Sequence, residues 1–447
     1  MKMKHYIVLS FSVLASVFLK AQTTKPLTLR EAIDLARSKS PAFTNAQLDT
    51  EIEKIRKMEL TTGWFPKLNA SYDSRYNAIR QTLVLPAEAF GGPAGEFRTI
   101  LQGTPWISTP SIDLTQTVFD PNLMSDNRLQ RMKRKQVDAD KLKAEQDLVF
   151  EVTKAYYSLA YATQKESEAQ SDVERNKEYL KQAQARFSQG TALKTDVDQA
   201  RLNVSLAETA LRKASSDIET AAASLAQAMG TPDETAYRSS QKLDEFMEAE
   251  SSTGDLSGDK MYSNRPDWIR ESLNKEAAKL QITKTKWSYA PVLSGYATLA
   301  TQAFRTTFNF YQTGQDWYRY AFVGAKVSMP VFDGLQRMYI QKRQKIEMMK
   351  NDQNLNLIRN KARYELTDAF IRAKNARSSY RDQQENLKLA QEILAQVEAG
   401  YREGVRTRRD VLDAEYTYAQ TRSAALRALY DLLQAGLDSK KATGNLR

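Results

Sequence analysis

The chain has 447 residues, 41% of them hydrophobic and 27% charged, and a formal net charge of +11. It contains no cysteine and one histidine, His5, so disulfide staples and thiol nucleophiles are excluded and a lipid anchor on a terminal cysteine is not expected. His5 falls inside a leader-like segment, so imidazole chemistry drops out as well. No catalytic residue, metal ligand or cofactor is expected.

That first segment is basic at Lys2 and Lys4 and apolar over the roughly 14 residues Tyr6 to Leu19, and it offers a small residue at Ala21. An apolar run this short suits a secretory signal over residues 1–21 better than a membrane-spanning helix, which needs about 20 residues; a buried N-terminal helix is the alternative reading. Without Lys2, Lys4 and Lys20 the net charge falls to about +8. The remaining basic residues alternate with acidic ones, as in Lys141-Leu142-Lys143-Ala144-Glu145. Such interleaving is a solvated helix face, not a phosphate-binding stripe, so no nucleic-acid partner is expected.

From residue 22 to 230 the pattern predicts a helix (about Thr28 to Thr61), a strand hairpin (about 66–119), a long helix (about 122–189), a turn at Gly190 and a helix (about 196–229). A linker rich in Ser, Gly, Asp and Glu occupies 231–258. The same order then returns over 259–447: a helix to about Ser288, a strand hairpin (about 291–332), a long helix (about 335–403), a turn at Gly404 and a helix (about 407–443). The repetition is literal in places. Ala155-Tyr156 recurs as Ala369-Phe370, Asp196-Val197 as Asp410-Val411, and Gly190 as Gly404, all at an offset of 214 residues. Pro41 and Pro66 recur as Pro266 and Pro291 at an offset of 225, so the first copy has the longer loop between its strands.

Each long helix, at about 1.5 Å per residue, would form a rod of roughly 100 Å. Val173, Leu180 and Phe187 repeat every seven residues, as do Tyr380, Leu387, Leu394 and Tyr401. That period predicts coiled-coil packing between neighbours. The strands alternate: Ile112, Leu114 and Val118 on one face against Asp113, Thr115 and Thr117; Leu68, Ala70 and Tyr72 against Asn69, Ser71 and Asp73. One apolar and one polar face suits a barrel with lipid outside and water inside; a soluble β-sandwich is the alternative. Aromatics near the strand ends, Trp106, Trp317, Tyr318 and Tyr320 among them, are expected at the membrane interface. Four strands cannot close a membrane barrel, for which about eight are the minimum, so several chains must combine.

The motif Tyr401-Arg-Glu-Gly404-Val-Arg406-Thr-Arg-Arg-Asp410-Val-Leu-Asp413-Ala414, with its partner Arg186-Phe187-Ser-Gln-Gly190 followed by Thr195-Asp196-Val197, resembles the TolC-like outer-membrane efflux proteins, and the resemblance covers essentially the whole chain after the signal. It implies a mainly α fold with a small β part: a homotrimer whose long coiled-coil hairpins form an α-helical barrel continuous with a twelve-stranded β-barrel, four strands per protomer. The implied setting is the outer membrane of a Gram-negative bacterium, with the helices in the periplasm. The implied partners are outer-membrane lipid, a periplasmic adaptor (membrane fusion) protein and an inner-membrane RND or ABC transporter. The implied function is the exit duct of a tripartite efflux or type I secretion system. By the same resemblance Gly190 and Gly404 mark the periplasmic tip, Asp410 and Asp413 form the constriction, and Tyr401 and Arg406 latch it through Thr195 and Asp196.

The residues themselves leave other roles open. Asp196 and Asp410 also suit the first turns of helices, and Arg406–Asp410 and Arg409–Asp413 have the spacing of intrahelical pairs. Arg408 and Arg409 stand where close relatives carry apolar residues, which would blunt an acidic ring's preference for cations. A periplasmic coiled-coil adaptor or scaffold is the competing function, but it would contain one helical hairpin, not a duplicated pair.

Overall fold

In the computed structural model of the protein, residues 25–231, 237–250 and 261–446 are described; the signal segment and parts of the 231–258 linker lie outside them. The elements run β1 (Lys25–Leu27), α1 (Leu29–Lys39), α2 (Pro41–Thr61), β2 (Lys67–Tyr76), β3 (Thr82–Pro86), β4 (Phe97–Leu101), β5 (Trp106–Phe119), α3 (Pro121–Ser188) and α4 (Lys194–Met229). They continue with β6 (Tyr237–Ser239), α5 (Pro266–Trp287), β7 (Val292–Arg305), β8 (Tyr318–Ser328), α6 (Gln336–Arg402) and α7 (Arg408–Thr443). Two compact units result. One takes residues up to Asn45 with Lys143–Arg265 and Ala362–Arg447, and the other takes Ala46–Leu142 with Pro266–Lys361.

Three sequence expectations need correction. The helix expected over Thr28 to Thr61 breaks at Ser40, which is extended (φ −65°, ψ 120°) because a residue preceding proline is pushed out of the helical region. The helix expected from about residue 259 begins at Pro266, a residue suited to a first helical position because its missing N–H has no intrahelical partner to lose. The longer loop of the first copy is not plain loop: β3 and β4 form a second hairpin inside it, Thr82 opposite Leu101 and Pro86 opposite Phe97.

The core of the first unit follows from helix periodicity. On α4 the buried residues Ala214, Ile218, Ala221, Ala222, Leu225, Ala226 and Met229 recur every three or four positions, and the many alanines let helices approach closely. All of these from Ile218 onward share a cluster with Val152, Tyr156 and Leu159 of α3 and with Leu426, Leu429 and Leu433 of α7. The one polar atom of Tyr156 is satisfied: its hydroxyl donates to the Leu27 carbonyl at 2.7 Å. That bond anchors β1, which pairs in parallel with β6.

In the second unit α5 is tied to α3 by Arg270–Asp140 (3.1 Å) and to α6 by Lys275–Asp352 (2.5 Å). The main sheet is antiparallel in the order β2-β5-β7-β8. Its register aligns Leu68, Leu114, Ala297 and Val323 in one row and Asn69, Asp113, Thr298 and Phe322 in the next. Adjacent rows point to opposite faces. On the polar face Asp113 accepts from Thr298 (2.6 Å) and Ser111 (3.0 Å), and Ser111 meets Ser71 at 2.7 Å. The apolar face is open: Leu68 is 69% and Val323 86% exposed. No helix among the described residues is long and apolar enough to cross a membrane.

Candidate functional site

The residues singled out by the sequence motif gather where α3 turns into α4 and α6 into α7. Both turns use one device. Gly190 (φ 74°) and Gly404 (φ 77°) take the left-handed conformation, and open space surrounds the position a Cβ would occupy at either. The requirement for glycine is therefore conformational and not one of room. Backward bonds close each turn: Thr191 N–H to the Arg186 carbonyl at 2.9 Å, and Val405 N–H to the Gly400 carbonyl at 2.8 Å.

The two aspartates that open the following helices act first as caps. Asp196 accepts from the Leu193 N–H at 3.0 Å. Asp410 accepts from the Thr407 N–H at 2.8 Å and from its hydroxyl at 2.9 Å, while the Thr407 oxygen accepts from the Asp410 N–H at 3.3 Å, a full capping box. Those donors, with Arg406 and Arg409 adding to them, hold the Asp410 carboxyl below the usual aspartate value. Asp413, one turn on, is exposed.

The residues expected as a latch are not joined to one another within this chain. Tyr401 accepts a hydrogen bond from Arg186 Nη1 at 2.7 Å instead of meeting Thr195 or Asp196. Thr195 is exposed on the first turn of α4. Arg406 packs back on its own turn, and a Cβ at Gly400 would lie 2.9 Å from its Cγ. Tyr179, Arg186, Asp196, Tyr401 and Arg408 nevertheless line one cleft of about 250 Å³. Within it the Arg408 guanidinium lies over the Tyr179 ring, 4.0 Å from its centroid, and the Tyr179 hydroxyl donates to Glu415 Oε1. Glu415 is 8% exposed. Burial, reinforced by the Glu415 carboxylate, pushes the Tyr179 hydroxyl up to about 12. Two turns further along α7, Arg422 reaches Glu168 and Asp172 of α3, each at 3.4 Å.

The sheet aromatics also need re-sorting. Trp106 packs with Tyr76 (4.8 Å between ring centroids) and Phe308 (5.0 Å), and Phe308 leads through Phe310 to Trp317. Tyr318 and Tyr320 do not belong to this group. The register sets them opposite Gln302 and Ala300, on the face of Asp113 and Thr298, whereas Trp106 shares the face of Ile112 and Leu114. Period-two alternation therefore rules out one belt for all four.

A family model described as outer membrane efflux protein matches residues 32–231 and 259–445. The chain belongs to the outer membrane efflux protein family. The efflux protein is 24% identical over 357 residues to Outer membrane efflux protein BepC of Brucella suis, covering 79% of this chain and 74% of that one. In fold it is similar to CusC (TM-score 0.71, 15% identity, 96% of this chain and 95% of that). It is similar also to the outer membrane channel MtrE of Neisseria gonorrhoeae in its open state (0.69, 18%, 94% and 89%) and to VceC of Vibrio cholerae (0.67, 15%, 93% and 96%). The efflux protein is thus an outer-membrane protein with the TolC-like fold.

Sequence reasoning missed how Arg408 is used. In the sequence it stands beside Arg409 as a second cation next to the acidic pair. In the structure it is drawn onto α3, while Arg409 is exposed. A signal was available: Tyr401, Arg408, Glu415 and Arg422 are spaced by seven, as are Asp172, Tyr179 and Arg186. The α3 set lies one position away from the apolar heptad of Val173, Leu180 and Phe187. The other set continues the spacing of Tyr380, Leu387, Leu394 and Tyr401 past the turn, so both are easily passed over.

Proposed function

We propose that the efflux protein is one of three identical protomers of a passive exit duct across the outer membrane and periplasm, gated at the glycine-turn tip. The observation that carries this reading is the four-stranded sheet. Among the described residues β2 and β8 pair on one side only, and the apolar face is exposed over the rows of Leu68, Ile112, Leu299 and Val323. Such a sheet is a fragment of a barrel that needs about eight strands or more. Three copies supply twelve, with lipid against Leu68, Ile112, Leu299 and Val323 and water against Asn69, Asp113 and Thr298.

In this reading 22–230 and 259–447 are the two structural repeats joined by 231–258, and 1–21 is the export signal. Asp410 and Asp413 would form acidic rings about the threefold axis, favouring cations at a narrow constriction. Tyr401, Arg406, Thr195 and Asp196 would tie neighbouring coils across protomers, and Trp106 and Trp317 would sit at the membrane interface. The tip would dock a periplasmic adaptor bound to an inner-membrane RND or ABC transporter, which supplies energy and selectivity. The duct itself has no catalytic role.

The test is reconstitution of the purified protein in planar bilayers, with its mass in detergent measured in parallel. The expected result is a trimer that forms pores of small, cation-preferring conductance. A monomer, or a trimer that never conducts, would overturn the proposal.

A further inference from the structure

We infer that the sheet carries, on its lipid-facing side, a cleft for the phosphorylated headgroup of an outer-leaflet glycolipid, built on Arg319 and Thr301. The inference rests on the duct reading for which face meets lipid and which strand ends point outward. Alternation sorts the strand residues between the two faces. Lys67, Asp73, Arg75, Asp113 and Lys326 share the face of Asn69 and Thr298. The face of Leu68, Ile112, Leu299 and Val323 has no carboxylate on any of its four strands, and its two charged residues are Arg305 and Arg319. Both are basic, and both stand at one end: Arg305 closes β7, and Arg319 is the second residue of β8. That end is the one away from α5 and α6, hence the outer-leaflet end of the duct.

The two arginines are not equivalent. Arg305 is buried and committed to the β7–β8 loop, donating from Nη1 to the Phe304 carbonyl at 2.9 Å and from Nη2 to the Asp316 carbonyl at 2.8 Å. Arg319 is exposed and has no carboxylate partner among the described residues. A guanidinium facing lipid is costly except near an interface. Closing the barrel does not relieve that cost. β8 would then meet the β2 of the next protomer, and the lipid face of that strand offers Leu68, Ala70, Tyr72, Ser74 and Tyr76. The complementary anion is not supplied by the sheet.

The surface beside Arg319 is hollow. Small side chains at Ala70, Pro110 and Thr301, next to the longer Ile112, Leu299 and Arg319, leave a cleft of about 430 Å³. Thr301 lies opposite Arg319 in the register. Its hydroxyl oxygen is buried without a hydrogen-bond partner, and a polar group left so costs free energy. Beside it the β5–β7 ladder lapses over Thr109 and Pro110, between the pairs Ser108–Ala303 and Ser111–Ala300, because proline has no N–H to give. A phosphate answers both unmet groups: two of its oxygens take parallel bonds from the guanidinium, and a third accepts from the Thr301 hydroxyl. An acyl chain of the same molecule follows Leu299 and Ile112, which are 58% and 46% exposed, toward the helices. At the outer rim the Tyr72 and Tyr311 hydroxyls meet at 3.2 Å, and the series Trp106, Phe308, Phe310 and Trp317 lies on the same side. Aromatic faces with polar tips suit a sugar ring above the phosphate, which a phospholipid lacks.

The experiment titrates the full-length protein in detergent with three probes and reads bound lipid by native mass spectrometry. The probes are lipid A carrying its phosphates, the same lipid stripped of phosphate, and phosphatidylglycerol. Phosphorylated lipid A is expected to be held about tenfold more tightly than either of the others. Arg319→Ala should weaken it about tenfold, the loss of a charge-assisted pair. Arg319→Lys, which keeps the charge but not the fork, should fall between, and Thr301→Val should cost about threefold. Arg75→Ala removes the same charge from the opposite face and should leave binding unchanged. Equal binding by Arg319→Ala and wild type, equal weakening by Arg75→Ala, or equal retention of phosphatidylglycerol would overturn the inference. The same spectra report the number of chains, so a monomer that holds lipid A through Arg319 would sink the duct reading and leave the cleft standing.

Discussion

The α3–α4 and α6–α7 turns share a backbone and differ in nearly every side chain that makes a contact. Each has a left-handed glycine, a backward bond from the residue after that glycine and an aspartate capping the next helix. At the 214-residue offset, however, Gly400 stands where the first copy has Arg186, and Arg406 stands where it has Ala192. The long basic side chain has moved to the other side of the turn: Arg186 reaches out to Tyr401, and Arg406 folds over the space that Gly400 leaves. Tyr179, Arg408, Glu415 and Asp413 have as counterparts Ile393, Lys194, Arg201 and Gln199, of which only Lys194 keeps the charge of its partner. Duplication copied the turn. The charges around it differ between the copies.

If the backbone is truly common to both turns, it should respond equally in both. Gly190→Ala and Gly404→Ala each force a Cβ into left-handed geometry, at a cost of about 1 kcal/mol. Neither site adds a clash, since open space surrounds both positions. Urea unfolding of the detergent-solubilised variants should show matching losses. A clear inequality would mean that the two turns are held by different forces.

The caps should respond unequally. Thr407 completes a reciprocal box with Asp410, whereas its counterpart Leu193, 70% exposed, has no side-chain oxygen and takes the Asp196 N–H on its carbonyl at 3.1 Å. Thr407→Ala should lose about 1 kcal/mol. Leu193→Thr should gain somewhat less, because it adds a side-chain acceptor for an N–H that the residue 193 carbonyl already receives, at an exposed position and without emptying a core. Equal and opposite shifts in the same unfolding assay would show that one hydroxyl accounts for the local difference between the turns.

The fold class was legible because helix and sheet signals repeat over long stretches and twice along the chain. A seven-residue apolar period and a two-residue strand alternation survive local noise. The β3–β4 hairpin was hidden because Pro86, Gly91, Gly92 and Pro93 read as plain loop, although Thr82–Pro86 and Phe97–Leu101 on either side pair in register. Tyr318 and Tyr320 were grouped with Trp106 by residue type, and only the register reveals that they face the other way. At the tip, the paired motifs contain Tyr401, Arg408 and Arg186 but not the contact between Tyr401 and Arg186, and they omit Tyr179, more than 200 positions from Arg408. Contacts of that kind depend on how α3 and α7 are rotated about their axes, which an apolar period fixes only for the apolar seam.

The smallest effect concerns the charge that the second turn carries. Asp410 in the folded chain is held below the ordinary aspartate value of 3.8 by the Thr407 donors, with Arg406 and Arg409 assisting. A lowered folded pKa means that the stabilising, ionised form is fully present above the unfolded value and is lost only as the pH falls through the lower folded one. In the proposed trimer the ring charge should follow the same course, because there the group that caps the helix would also face the ions. Asp410→Asn keeps an oxygen for Thr407 while removing the charge. The difference in reversal potential between wild type and Asp410→Asn should therefore stay constant from neutral pH down to about 4 and shrink only below that. If the difference instead fades between pH 6 and 4, the carboxylates crowd one another across the threefold axis strongly enough to outweigh the cap, and the constriction is narrower than one protomer alone implies.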